Sequence, residues 1–388
     1  MGRRRWDWRG PGQRLGRLLG RLRLRWLHAP LLVPPVAVVV LGATWGRHLG
    51  LGALLVVVAL ALVAAVIAAV HHAEVVAHRV GEPFGTLILA VAVTVIEVGL
   101  IVMLMTSGGP GTSSLARDTV FSAFMIVCNG VIGLCLLVGG LRHRVVEFRV
   151  EGVTGALATL SAVATLALVL PSFTTSTPGP TYSTAQLAFA GIAALTLYGV
   201  FVFVQTIRHR DYFLPVPTEP TYRAGARPDD EHAAPPSPRS ALLSLGLLAV
   251  CLVVVVGLAK TVSPSIESGV AAAGAPQTVV GVAIALLVLL PETVAAVRAA
   301  LRNRIQTSLN LALGSALASI GLTIPTIAFA SVWLPGTLVL GLGATQMVLL
   351  ALTVVVSVLT IAPGRATLMQ GTVHLVIFGA FLFLAVTP

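Results

Sequence analysis

Charge is what this sequence has least of. Only 10% of its residues are Asp, Glu, Lys or Arg, against roughly 25% in a soluble domain. A 388-residue chain that is 56% hydrophobic cannot cover its surface with polar groups, which excludes a water-soluble globule and leaves lipid as its solvent. Aromatics are also scarce, at 6%. Ala, Val, Leu and Gly supply the apolar bulk, and such small residues suit close helix packing in a bilayer. The only cysteines, Cys128, Cys135 and Cys251, all lie in apolar stretches, a context that gives neither a disulfide framework nor a metal cluster. The chain has no Gly-x-x-x-x-Gly-Lys-Ser/Thr loop and no nucleotide-sized polar domain, which argues against an ATP-driven pump. The formal charge of +11 does not indicate nucleic acid, because the basic residues cluster at the ends of apolar runs, where they act as topology signals.

What is present is a succession of apolar segments, each long enough to cross a bilayer with about 20 residues. Eleven fall near 30–46, 50–70, 84–106, 117–140, 153–171, 184–206, 240–260, 277–299, 307–330, 337–361 and 368–387. The fold expected is an all-α polytopic membrane protein. Residues 1–29 form a basic arm with nine arginines and one acid, read as a cytoplasmic arm on anionic lipid and not as a cleaved signal peptide. The interval 207–239, rich in Pro, Arg and acids, reads as a flexible cytoplasmic linker. With the N-terminus inside and sides alternating, the cytoplasmic segments hold 22 of the 25 Lys and Arg, leaving only Arg47, Arg117 and Lys260 outside. That asymmetry predicts N-in and, after eleven crossings, C-out in a bacterial inner membrane.

Setting aside the extra first helix at 30–47, the linker divides the chain into five-helix halves at 48–206 and 240–388. The second helix of each half carries one glutamate near mid-span, Glu97 in Thr94-Val95-Ile96-Glu97 and Glu292 in Leu290-Pro291-Glu292-Thr293. The next helix of each half carries a polar pair seven apart, Ser122 and Asn129 in one, Ser308 and Ser315 in the other. Five crossings per half make the halves enter the membrane from opposite sides. This is an inverted repeat, with the site expected at the midplane between them.

A charged carboxylate at mid-membrane costs about 2.5–3.5 kcal/mol on insertion scales. Two such groups facing one another are expected to hold protons or a hard cation with oxygen ligands, such as Ca2+, but not both fully. Competition for the same oxygens is then the exchange mechanism. Helix periodicity puts Thr94 on the face of Glu97, and Ser308, Ser315, Ser319 and Thr323 on one stripe. These read as a cation path, or as small polar residues gluing helices together. Pro291 is expected to free a backbone carbonyl beside Glu292. In the stretch His71 to Pro83, the residues Glu74, His78 and Glu82 are four apart. They read as a cytoplasmic vestibule that relays protons or draws in cations, as a zinc site, or as a solvated turn. His374 and Gln346 are lesser polar candidates.

The run Val70-His71-His72-Ala73-Glu74 leading to Glu97, Arg117-Asp118-Thr119, and Pro291-Glu292 through Leu309-Asn310-Leu311-Ala312-Leu313-Gly314-Ser315 resemble the signatures of ChaA-type calcium/proton antiporters of the cation/Ca2+ exchanger superfamily. The resemblance implies an eleven-helix exchanger with one essential acid in each repeat, here Glu97 and Glu292. It implies no cofactor, with Ca2+, or alternatively Na+ or K+, and H+ as the transported partners. From another class, a passive channel needs no proton coupling, and an intramembrane metalloenzyme would use the histidine stretch.

Overall fold

The computed structural model describes residues 30–47, 50, 52–81, 84–107, 112–214, 236–333 and 337–387. The basic arm, Glu82 and most of the linker lie outside them. Among the described residues, ten helices are long and apolar enough to cross a membrane, preceded by a shorter apolar helix, α1 (Pro30–Thr44). The ten are α2 (Ala53–Val80), α3 (Phe84–Ser107), α4 (Leu115–His143), α5 (Val150–Ser172), α6 (Thr184–Arg208), α7 (Pro238–Ala272), α8 (Thr278–Leu301), α9 (Ile305–Ala330), α10 (Ala344–Ile361) and α11 (Leu368–Val386).

Three boundaries differ from the sequence expectation. α2 continues to Val80, carrying the histidine stretch as helix until Gly81, whose φ of 79° L side chains rarely adopt. α7 runs to Ala272, three turns beyond the expected end. Thr261 bonds back to the Gly257 carbonyl and Ser268 to that of Ser265, so these polar residues stay within the helix. α10 starts only at Ala344, where Gln346 accepts from the Gly343 N–H and caps the first turn. Gln346 is thus a helix-starting residue.

The halves share their neighbour relations. α3 packs on α9 as α8 packs on α4, and α6 packs on α9 as α11 packs on α4. Even the connecting segments correspond. Strand β1 (Val145–Glu147), after α4, pairs antiparallel with β2 (Arg365–Thr367), between α10 and α11. At the other end of the bundle Val339, after α9, bridges to Thr181, between α5 and α6. Both links join the segment after the third helix of one half to the segment before the fifth helix of the other.

Close approach at α4 and α11 depends on missing side chains. A Cβ on Gly140 would lie 2.5 Å from the Leu368 backbone nitrogen, and one on Gly371 would overlap Leu137. Small residues let these backbones touch, which supplies van der Waals contact where lipid gives no hydrophobic drive. α4 is the most buried helix, with 89% of its apolar window inside the protein, so it forms the centre against which both glutamate helices are arranged.

Candidate ion-binding site

Glu97 sits on α3 with 2% exposure, facing α9. The Ser319 hydroxyl donates to its Oε2 at 2.6 Å. Its Oε1 is buried and has no hydrogen-bond partner among the described residues. Thr323, one turn further along α9, is fully buried near the same carboxylate, and its hydroxyl has no hydrogen-bond partner within bonding geometry among the described residues. A carboxylate oxygen and a hydroxyl left bare in an apolar interior are costly unless something else binds them. Together they form a set of hard oxygen donors.

Glu292 reaches the same region from α8, which is continuous through Pro291. Its Oε2 is likewise buried and unpartnered among the described residues. The side chain lines a cavity of about 440 Å³ between α3, α6 and α9, shared with Ser315, Asn310, Tyr198 and Phe213. Ser315 and Ser319 are one turn apart on α9. The hydroxyl stripe therefore runs from the cavity of Glu292 to the carboxylate of Glu97. Gly314 also lines this cavity, where a Cβ would meet nothing within 4 Å, so it borders open space and allows no backbone contact.

The other sequence candidates separate. Thr94 is buried and bonds back to the Ala90 carbonyl at 2.8 Å, within its own helix. Ser308 donates to the Ala296 carbonyl at 2.7 Å, so it ties α9 to α8 as packing glue and is not aligned with the glutamates. Asn129 lies in a π-turn of α4, Ile126–Val131. Its Nδ2 donates to the Thr353 hydroxyl at 2.8 Å and its Oδ1 lies 3.1 Å from His374 Nδ1. Both amide atoms are thus engaged by α10 and α11, and neither is bonded to a glutamate. Thr360 completes the network at 3.1 Å from His374 Nε2, making His374 a buried packing residue with both nitrogens partnered. The sequence match of Ser122 with Ser308 and Asn129 with Ser315 reflects the repeat, but only Ser315 reaches the site.

On α2, Glu74 and His78 are exposed along one face. His72 is buried, with Nε2 at 3.1 Å from the Pro30 carbonyl, which docks the start of α1. Glu82, the third member of the expected vestibule, lies outside the described residues. At the opposite end, Asp118 is 2% exposed and forms a 2.8 Å salt bridge with Arg117, which also donates to the Gly341 carbonyl. Nothing in the local sequence distinguishes this clamp from a surface pair; its burial comes from the segments folded over it.

The sequence matches the sodium/calcium exchanger protein family over residues 50–207 and 243–387. The chain belongs to that family. It is 33% identical over 364 residues to the sodium-potassium/proton antiporter ChaA of Escherichia coli (strain K12), covering 93% of this chain and 97% of that one. A Sinorhizobium fredii (strain NBRC 101917 / NGR234) protein, y4hA, provisionally named an ionic transporter, is 47% identical over 378 residues, covering 95% and 99%. The fold is similar to that of the H+/Ca2+ exchanger CAX, with a TM-score of 0.67 at 16% identity over 94% of this chain and 88% of that one. Members of the family are secondary transporters, so this is a multi-pass membrane antiporter of cations and not an enzyme.

Proposed function

We propose that the protein exports Ca2+ in exchange for protons, with Glu97 and Glu292 as the shared binding groups. The observation that carries this reading is the pair of buried, unpartnered carboxylate oxygens at the two ends of one hydroxyl stripe. Two carboxylates match one hard dication in charge and oxygen chemistry, while Ser315, Ser319 and Thr323 add neutral donors. When no cation is present, protons neutralise the same oxygens, so loading one cargo expels the other. No resident cofactor is needed for this cycle. Na+ or K+ in place of Ca2+ is the second reading, favoured by the name of the ChaA relative.

Dye-monitored proton release from vesicles, on adding Ca2+, Na+, K+ or Mg2+ separately, discriminates these readings. Ca2+ is expected to release protons at the lowest concentration. The half-maximal Ca2+ concentration should rise as pH falls, since protons occupy the same oxygens. Release by Na+ or K+ alone would transfer the assignment to a monovalent exchanger. Cation flux without proton release would leave only a channel.

The charge asymmetry places the chain in a bacterial inner membrane with the basic arm in the cytoplasm. The end carrying β1, β2 and the cavity-lining residues Phe213 and Thr307 is then cytoplasmic, and the Glu292 cavity is read as facing inward. A periplasm-active reporter fused after Pro388 should be functional. A reporter active only in the cytoplasm at that position would refute the eleven-crossing topology.

A further inference from the structure

The cavity beside Glu292 is too large and too apolar to serve a bare ion alone. At about 440 Å³ it lies in the size range of small-molecule pockets, which combine apolar and aromatic walls with a few convergent polar groups. Tyr198, Phe201 and Phe213 form aromatic walls, with the rings of Phe201 and Phe213 meeting edge to face at 6.0 Å. Asn310 holds Phe213 in place by donating to its carbonyl at 2.6 Å. The cavity's acid is Glu292, whose Oε2 is buried without a partner.

We propose that this cavity is a binding site for amphiphilic organic cations, in which an ammonium or amidinium head pairs with Glu292 and an aromatic or alkyl body lies against Tyr198, Phe201 and Phe213. The head satisfies the bare carboxylate oxygen, and the body buries apolar surface on walls that a hydrated metal ion cannot use. Aromatic faces add cation–π attraction for the head. Such a ligand occupies the path to Glu292 and competes with the metal. This deepens the reading of Glu292 as a cation site and rests on it.

The test measures binding of 4-phenylbutylammonium to the purified full-length protein in metal-free detergent solution by calorimetry, with the neutral 4-phenyl-1-butanol as control. Saturable one-to-one binding is expected, with the alcohol at least about tenfold weaker because it leaves the carboxylate unpaired. Glu292→Gln should reduce the ammonium to the level of the alcohol. Gly314→Leu provides a second variant that does not depend on the carboxylate. A Cβ there meets nothing within 4 Å, so the side chain fills the cavity without a backbone clash and should abolish binding. Equal binding of ammonium and alcohol, or ammonium binding that survives Glu292→Gln or Gly314→Leu, overturns the proposal. Proton release by metal cations is assayed separately. Ammonium binding without metal-driven release would sink the Ca2+ reading alone, and robust release without ammonium binding would sink this inference alone.

Discussion

Replacing either glutamate by glutamine is expected to abolish cation-driven proton release. Glu97→Gln and Glu292→Gln keep the side-chain size but remove the negative charge and the exchangeable proton. Removing one member of a buried charge pairing costs roughly 2–5 kcal/mol, so apparent cation affinity should fall at least about 30-fold. Coupling should fail altogether, because a single remaining carboxylate cannot neutralise a dication. Ser315→Ala should be milder, within about tenfold, since water can replace a neutral hydroxyl ligand. The measurement is dye-monitored proton release in vesicles holding equal amounts of each variant and the parent. Vigorous coupled exchange by either Gln variant would remove that carboxylate from the mechanism and turn attention to Glu74 on α2.

The second large effect is on stability and lies at the other end of the bundle. Asp118 is 2% exposed, and its charge is compensated by Arg117 at 2.8 Å with a 3.2 Å hydrogen bond from Ser114. Arg117→Ala strands a carboxylate in the interior, a loss of about 3–5 kcal/mol. It also cuts the hydrogen bond to the Gly341 carbonyl, one of the links that hold the segment after α9 over α4. The double variant Arg117→Met with Asp118→Leu removes both charges and should recover most of the lost stability, because well-packed apolar replacements of buried ion pairs are often neutral. Thermal unfolding in detergent, followed by loss of monodisperse protein, compares the two. If Arg117→Ala melts with the parent, the ion pair is not a structural clamp.

The contrast between Ser315 and Asn129 shows how far the sequence reached. Both were found by the same argument, a polar pair at equal spacing after each glutamate. Ser315 lines the cavity of Glu292, whereas Asn129 is bonded to Thr353 and His374. Spacing along a helix determines which residues share a face, but not which neighbour that face meets. A π-turn at Ile126–Val131 adds a further local change in rotation that a period of 3.6 cannot anticipate. Ser308 illustrates the same limit: its helical spacing from Ser315 does not reveal its partner, which is the Ala296 carbonyl. The aromatic walls had no local signal, because Tyr198 and Phe201 come from the sixth helix and Phe213 from the turn after it, all about 80–95 residues before Glu292 in the chain.

The lipid solvent, the all-helical class and the order of the apolar helices could be read from the sequence, and it singled out Glu97 and Glu292 as candidates, because hydropathy and the cost of a buried charge are local and large. Which hydroxyls face those acids, which polar residues are spent on packing, and that a roomy cavity opens beside Glu292 were settled only by how the helices pack. The physical reason is that lipid is equally apolar on every side of a helix. Rotation and contact are then set by close packing, as where Gly140 and Gly371 let α4 and α11 touch, and that fit depends on residues far apart in the chain.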